Sequence, residues 1–179
     1  LLPIRLTQQG RVTAVKGLSL SSHLKYRKVS ERMASECIRA LKTLGISPDI
    51  EILNDITEHP AFDKAAAQSG AALAVWAETD MGCRIGADMA GAIKRPAEYI
   101  GKTVARQLIE DIDSGAVTDR YLADQLVPFA ALADGLSEYR IPEITDHVEA
   151  RTWLTENLLG AKTEWVGNLL KIKGINYHI

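Results

Sequence analysis

Residues 119–126 read Asp119-Arg120-Tyr121-Leu122-Ala123-Asp124-Gln125-Leu126 and predict a helix with two unlike faces. On a helix, Tyr121, Asp124 and Gln125 fall within one turn and share one face. The other face has the spacing of a side that is buried against a core. Its members are Leu122, Leu126, Phe129, Ala130 and Ala133. A phenol, a carboxylate and an amide on the opposite face predict the wall of a polar pocket.

A second helix is predicted to begin at His147, some twenty residues later. Asp146 suits the N-cap position, and Glu149 completes a capping-box pattern. His147 is then the first helical residue, at the positive end of the helix dipole, where the imidazolium form is disfavoured and a phosphate is favoured. A neutral imidazole that faces a phosphate can act as a nucleophile. The same pattern also occurs where a histidine only caps a helix or is solvated.

Four segments carry a resemblance to a known family. Between the two stretches lie a glycine-containing turn and a strand predicted around Glu138–Ile141, and the second stretch reads Glu143-Ile-Thr-Asp-His147. Upstream, residues 29–34 read Val-Ser-Glu-Arg-Met-Ala and residues 96–101 read Pro-Ala-Glu-Tyr-Ile-Gly. In order and spacing the chain resembles the RNA 3′-terminal phosphate cyclase family. In that family, 29–34 would belong to a helix of a small inserted domain, and 96–101 would lead back into the core.

The resemblance implies an ATP-dependent enzyme of the ligase class. It would convert an RNA 3′-terminal phosphate into a 2′,3′-cyclic phosphodiester, with ATP and a divalent metal ion (Mg²⁺ or Mn²⁺) as cofactors. His147 would attack the α-phosphorus of ATP and become a histidyl-AMP, and Tyr121, Asp124 and Gln125 would form the nucleotide-contacting wall. Asp124 would orient either an imidazole N–H or a ribose hydroxyl. No metal ligands are assigned.

One departure and two alternatives stay open. Where the family has Thr-Asn, three and four residues after the histidine, this chain has Ala150-Arg151. Arg151 offers either a cation to phosphates or only a solvated charge. The second alternative is a catalytically inactive, cyclase-like scaffold in RNA processing or ribosome assembly, against which the histidine at position 147 argues. The third alternative is an unrelated α/β binding domain.

Composition and charge narrow the function classes. With 46% apolar and 25% charged residues, the 179-residue chain has the composition of a globular protein. Its net charge of −2 gives no global basic field, so any contact with RNA has to be local. Cys37 and Cys83 match no metal or redox spacing. No membrane span or signal peptide is apparent, and we predict a cytoplasmic protein without membrane contact.

The predicted architecture is α/β (α+β), with two modules. Residues 1–9 would end a preceding core strand, residues 10–93 would form an inserted small domain of βαβαβ type, and residues 94–179 would form the last βαβαββ-type repeat of the cyclase core. The glycine-containing segment 81–95 is predicted to be a loop between the modules. The chain begins without methionine and reads as the C-terminal half of a cyclase. The N-terminal half is then a predicted partner, together with RNA 3′-phosphate ends.

Three further signals have a plain structural interpretation. Gly101-Lys102-Thr103 is part of a P-loop motif, but the motif needs a glycine where this chain has Pro96. The basic cluster Lys25-Tyr-Arg-Lys28, with Arg32, is either a solvated helix start or a contact for RNA phosphates. The tryptophans are too dispersed for a stacking surface and are predicted to lie in the core. They are Trp76, Trp153 and Trp165.

Overall fold

The computed structural model describes residues 1–55 and 66–178 as an α+β chain with two four-stranded sheets, which confirms the predicted class. The strands are β1 (Arg5–Leu6), β2 (Val12–Ser22), β3 (Asp49–Asn54), β4 (Gly70–Thr79), β5 (Arg84–Ala90), β6 (Leu136–Arg140), β7 (Lys162–Val166) and β8 (Leu169–Lys173). The helices are α1 (Val29–Leu41), α2 (Ala97–Asp113), α3 (Leu122–Gln125), α4 (Val127–Leu132) and α5 (Asp146–Leu154).

The chain folds into two compact units. The middle unit comprises Val12–Asp80 and Gly86–Ile109, and the terminal unit comprises Leu1–Arg11, Met81–Ile85 and Glu110–Ile179. The sequence-based division places 94–109 with the last core repeat, whereas in the structure this segment, which holds most of α2, packs with the middle unit.

The middle unit is a sheet in the order β3-β2-β4-β5, with α1 packed on it and α2 packed on α1. β2 pairs parallel with β3 and antiparallel with β4. Alternate residues of β2 are buried, as the period of two in a strand requires when one face covers a core. α1 contributes the buried stripe Met33, Ala34, Cys37 and Leu41, whose spacing of three and four residues is that of one helix face.

Close packing of α2 on α1 accounts for Gly101. A Cβ at Gly101 would lie 2.5 Å from the carbonyl oxygen of Met33 and 3.0 Å from the backbone nitrogen of Cys37, so only glycine fits. The glycine of the Gly101-Lys102-Thr103 triplet therefore serves helix packing, in agreement with the rejection of a P-loop. Burial also raises the pKa of the Cys37 thiol to about 12, which keeps it protonated.

A buried hydrogen-bond cluster holds the first turn of α1 against the sheet. The Asn54 Oδ1 atom accepts hydrogen bonds from Ser21 at 2.6 Å and from Ser30 at 3.0 Å. Ser19 donates to the Ser30 carbonyl oxygen at 2.8 Å. Because every one of these buried hydroxyls has a partner, the cluster fixes α1 to β2 and β3 without an unsatisfied group.

The terminal unit is a sheet in the order β1-β6-β8-β7, packed against α4. β1 pairs parallel with β6, and β6, β8 and β7 pair antiparallel. α4 and α5 contact each other, and α4 lies against β8. Fully buried residues of this core include Val127, Ala130, Tyr139, Ile141, Val148, Leu170 and Ile172.

Glycine and proline explain where several of these helices end or break. α1 ends in a 3₁₀ turn and a left-handed Gly45 (φ 69°), as its C-terminal signal indicates. The helix that begins near Tyr121 is interrupted at Leu126, two residues before Pro128, where a kink is expected. The helix that carries His147 ends at Gly160 (φ 78°), after a π turn over 155–159.

Other predictions are wrong. Segment 81–95 is not all loop, because it contains β5. The alternation of this strand is short, and the glycines of the segment are typical of loops, so the sequence did not indicate a strand. Phe129 is 58% exposed and Trp153 is 61% exposed, so neither lies in a core. The buried side of the helix pair consists of smaller residues, including Ala123 and Val127. Leu126 is partly buried and packs against that core.

Candidate functional site

The first wall of the candidate site is α3, and Asp119 fixes where it starts. The Asp119 Oδ1 atom accepts hydrogen bonds from the backbone N–H groups of Tyr121 at 2.9 Å and Leu122 at 2.7 Å. These bonds satisfy two of the N–H groups that a helix start leaves without a partner. Tyr121 is 50% exposed, and Gln125 is exposed one turn later. The phenol and the amide of the predicted wall are therefore available to a ligand.

Asp124, the third residue of the predicted wall, is engaged inside the unit. Its Oδ2 atom lies 2.6 Å from the Nε atom of Arg151 on α5, and the Asp124 side chain is only 14% exposed. The ion pair joins α3 to α5, which are also in direct contact. The residue that replaces the expected amide on α5 thus contacts the wall itself, rather than only solvating its own helix.

His147 is an exposed side chain in the first turn of α5. The N-cap of this helix is Thr145, whose hydroxyl accepts a hydrogen bond from the Val148 N–H at 3.3 Å, and Asp146 is already helical. The predictions that Asp146 is the cap and His147 the first helical residue are therefore wrong by one position. Val148, directly after the histidine, is fully buried and anchors this turn in the core.

The loop before α3 is positioned by an ion pair that no sequence motif indicates. Asp111, 1% exposed at the end of α2, accepts hydrogen bonds from the Arg120 backbone N–H at 3.1 Å and from its Nη2 group at 2.8 Å. Burial raises the pKa of the Asp111 carboxyl, while the Arg120 guanidinium acts in the opposite direction. The only signal in the sequence is a charge pair nine residues apart, across a glycine, and such pairs are common on surfaces.

A buried tyrosine on β6 forms a hydrogen bond with α3. The Tyr139 hydroxyl donates a hydrogen bond to the Ala123 carbonyl oxygen at 3.2 Å. Burial raises the pKa of this phenol above its usual range, and the charge of Asp124 adds to the effect. Tyr139 thus holds α3 in place through a neutral hydroxyl.

Three of the predicted site residues lie at the start of α3 or on it, and His147 lies on α5, which contacts α3. An exposed imidazole at a helix start can hold a phosphoryl group, and an exposed phenol and an exposed amide can contact a nucleoside. In the part of the chain that the structure describes, no group of three His, Cys, Asp or Glu residues could hold a metal ion. None of the described helices is long and apolar enough to cross a lipid bilayer.

Fold and site define an α+β protein with two units, one of which presents a histidine at a helix start next to a polar helix face. The family model for the RNA 3′-terminal phosphate cyclase (RTC) insert domain matches residues 7–113. The chain belongs to the RNA 3′-terminal phosphate cyclase family.

Curated relatives extend the match beyond the insert domain. The RNA 3′-terminal phosphate cyclase of Methanopyrus kandleri is 33% identical over 168 residues, which is 92% of this chain and 46% of the relative. That of Caldivirga maquilingensis is 34% identical over 173 residues, 97% of this chain and 48% of the relative. That of Thermococcus onnurineus is 43% identical over 100 residues, 56% of this chain and 28% of the relative. The chain thus spans about half the length of the first two.

Proposed function

We propose that this chain carries the nucleophile of an ATP-dependent RNA 3′-terminal phosphate cyclase. His147 carries the proposal: its imidazole is exposed in the first turn of a capped helix, and that helix contacts the polar face of α3. Family membership supports the reaction class and RNA as the substrate. The protein would bind ATP and a divalent metal ion and belong to the ligases that act in RNA processing in the cytoplasm.

The reaction would run in three displacements at phosphorus. The neutral His147 imidazole attacks the α-phosphorus of ATP, a P–N bond forms, and pyrophosphate leaves. An oxygen of the RNA 3′-phosphate then attacks the same phosphorus and breaks the P–N bond, which transfers AMP to the RNA end. The neighbouring 2′-hydroxyl attacks the 3′-phosphorus, loses its proton and expels AMP, which closes the cyclic diester.

The residues of this chain would act by positioning and by electrostatics. The start of α5 would place a positive dipole end beside the phosphoryl group while charge develops on it. Tyr121 and Gln125 would contact the nucleoside through an exposed ring and an exposed amide. Asp124 would hold α5 through Arg151 in addition to any contact with an imidazole N–H or a ribose hydroxyl. The metal ion would neutralise phosphate charge, and we assign it no ligand in this chain.

A second function is favoured by one observation. The Arg151 guanidinium forms an ion pair with the Asp124 carboxylate. The resemblance led us to expect a neutral asparagine at position 151. If that pair is purely structural and the wall does not bind nucleotide, the protein would be an inactive, cyclase-like scaffold in RNA processing or ribosome assembly. In that case no ATP-dependent label would form on the protein.

Labelling with ATP separates the two functions. The full-length protein, incubated with α-labelled ATP and Mg²⁺ or Mn²⁺, should form an adduct that is labile in acid and stable in base, as expected for a phosphoramidate. His147→Ala should abolish the adduct. His178→Ala is the matched control, since His178 is also an exposed histidine but belongs to neither α3 nor α5, and it should keep the full signal. Label that persists in His147→Ala would refute the assignment.

A further inference from the structure

The middle unit contains an open groove of about 660 Å³, separate from the residues proposed for nucleotidyl transfer. It lies at the open end of the β4–β5 hairpin. Gly70 and Ala71, at the start of β4, line one side, and the loop over 91–96 lines another. The Gly91 N–H donates to the Ala71 carbonyl oxygen at 2.7 Å, which ties the loop to the strand. The start of α1 closes the groove at Val29.

The charge lining this groove is of one sign. Its described lining includes four basic residues and no acidic one: Arg27, Arg32, Lys94 and Arg95. Arg32 is held by a bidentate ion pair with Glu98, at 2.7 and 2.8 Å. Arg95 donates to the Ala90 carbonyl oxygen at 2.8 Å, which is a contact with a neutral group. In a chain with a net charge of −2, this is a local concentration of positive potential.

Two large side chains stand in solvent beside these cations. Tyr26 is 94% exposed, in the 3₁₀ turn Lys25–Arg27 that forms one rim. Ile93, in the lining of the opposite loop, is also 94% exposed. A solvent-exposed ring between basic residues matches the combination that proteins use for single-stranded nucleic acid, in which cations follow the phosphates and aromatic rings stack on bases.

Lys94, in the groove lining, and Lys28, which directly precedes α1, have a backbone conformation that L-residues rarely adopt. Lys28 has φ 50° and Lys94 has φ 64°, in the left-handed region where glycine would fit without strain. Each lysine side chain is therefore present at a conformational cost, and non-glycine residues in such conformations concentrate at binding sites. The strain also provides a variant, Lys94→Gly, that removes the charge without harming the fold.

We propose that this groove binds the phosphate backbone of single-stranded RNA, with Tyr26 stacking on a base. Charge complementarity indicates a polyanion, and the exposed ring favours a nucleic acid over an acidic protein segment. The proposal rests on the proposed function only in naming RNA as the polymer. The middle unit would then bind the RNA chain independently of the reaction at the 3′ end of the RNA.

Fluorescence anisotropy with a labelled single-stranded RNA tests this directly. The RNA ends in a 3′-hydroxyl, and neither ATP nor metal is added, so the result does not depend on His147. Lys94→Gly and Arg27→Gln should each weaken binding about fivefold and lower the magnitude of the slope of log K against log salt by about 0.7. Lys94→Gly should leave the melting temperature unchanged or raise it.

Two comparisons complete the experiment. Tyr26→Ala should weaken binding about fivefold or more without changing the salt slope, because stacking is not electrostatic. Lys42→Gln removes the same charge at the other end of α1, about 20 Å away, and should change neither quantity. Lys42 is exposed and belongs to the same unit.

Two results would overturn the proposal. Equal losses in Lys42→Gln and Lys94→Gly would overturn the groove as the site. Unchanged binding in Tyr26→Ala, together with equally tight binding of polyglutamate, would mean that the groove takes an acidic protein segment, which also overturns the proposal. His147→Ala should bind this RNA as the wild type does. A failure of the labelling experiment would therefore leave this inference intact, and the reverse also holds.

Discussion

The contact between Asp124 and Arg151 changes how the effect of an Asp124 substitution has to be interpreted. On the sequence, it is one of three polar residues on an open helix face, and removing it should affect only a ligand. In the structure its carboxylate lies 2.6 Å from the Arg151 guanidinium. A loss of labelling in Asp124→Ala alone would therefore not distinguish a nucleotide contact from a loosened α5.

Asp124→Ala and Arg151→Ala, singly and combined, resolve this. Arg151 is 42% exposed in the pair, so either single change should cost about 1 kcal/mol or less of unfolding free energy. We expect Asp124→Ala to lower adenylylation at least tenfold, because it would remove a group that contacts the nucleotide. Arg151→Ala should lower adenylylation far less. Urea unfolding and ATP labelling of the three variants are the measurements. Equal losses of labelling would mean that Asp124 acts only through Arg151.

Asp111 is expected to be the stronger structural residue. It is 1% exposed, and its substitution by alanine would leave the Arg120 guanidinium, whose side chain is 21% exposed, without its main partner. We expect a cost of about 3 kcal/mol, as for breaking a largely buried pair from one side. Glu110→Gln is the control, because Glu110 contacts the same Arg120 at 3.1 Å but is 45% exposed. A control variant as unstable as Asp111→Ala would contradict the importance of burial.

At the scale of elements, the start of α5 decides how His147 is presented. Thr145 caps the helix through its hydroxyl, and buried Val148 holds the first turn. A helix of nine residues is too short to be stable by itself, so cap and anchor together keep the histidine in place.

Thr145→Ala should cost about 1 kcal/mol, the usual value for loss of an N-cap hydroxyl. It should also lower labelling, since the turn that carries His147 would fray. Thr145→Ser should restore both. Asp146→Ala should cost about 0.5 kcal/mol, because Asp146 only complements the helix dipole. Denaturation midpoints rank the four proteins, and a larger loss for Asp146→Ala than for Thr145→Ala would restore Asp146 as the cap.

At the scale of the whole molecule, the length of the chain determines how many groups are available for phosphoryl transfer. The chain spans about half the length of its relatives from Methanopyrus and Caldivirga, and its described residues include no three-residue metal cluster. Phosphoryl transfer depends on several groups that position the substrate and stabilise charge on its phosphates. A histidine with one polar wall is a small part of that set.

We therefore expect residues 1–179 alone to give no label above the His147→Ala background. The part of a full-length cyclase that this chain does not cover, added in trans, should restore some labelling. Gel filtration should accompany the assay, because exposed apolar side chains such as Trp153 and Leu158 favour self-association. Full labelling by a monodisperse 179-residue chain would show that the site has been assigned too narrowly.

Local signals in the sequence determined much of this protein. Proline, glycine and apolar periodicity depend on neighbouring residues alone, so α1, α2, the break before Pro128 and the turn at Gly160 could be predicted from them. The motifs at 121–126 and 143–147 indicated the family and the histidine. β5 was missed because its alternation covers only seven residues and includes Gly86, so that its pairing with β4 decides that it is a strand.

Only the tertiary structure decided which charges meet. Arg151 contacts Asp124, and Arg120 contacts Asp111. One groove is lined by four cations, Arg27, Arg32, Lys94 and Arg95. These residues are far apart in the chain or lie on different elements, and a pattern with helical or strand period carries no information about such distances. Which residue caps α5 also depended on backbone geometry, because Thr145 and Asp146 are both good caps and only the φ and ψ angles choose between them.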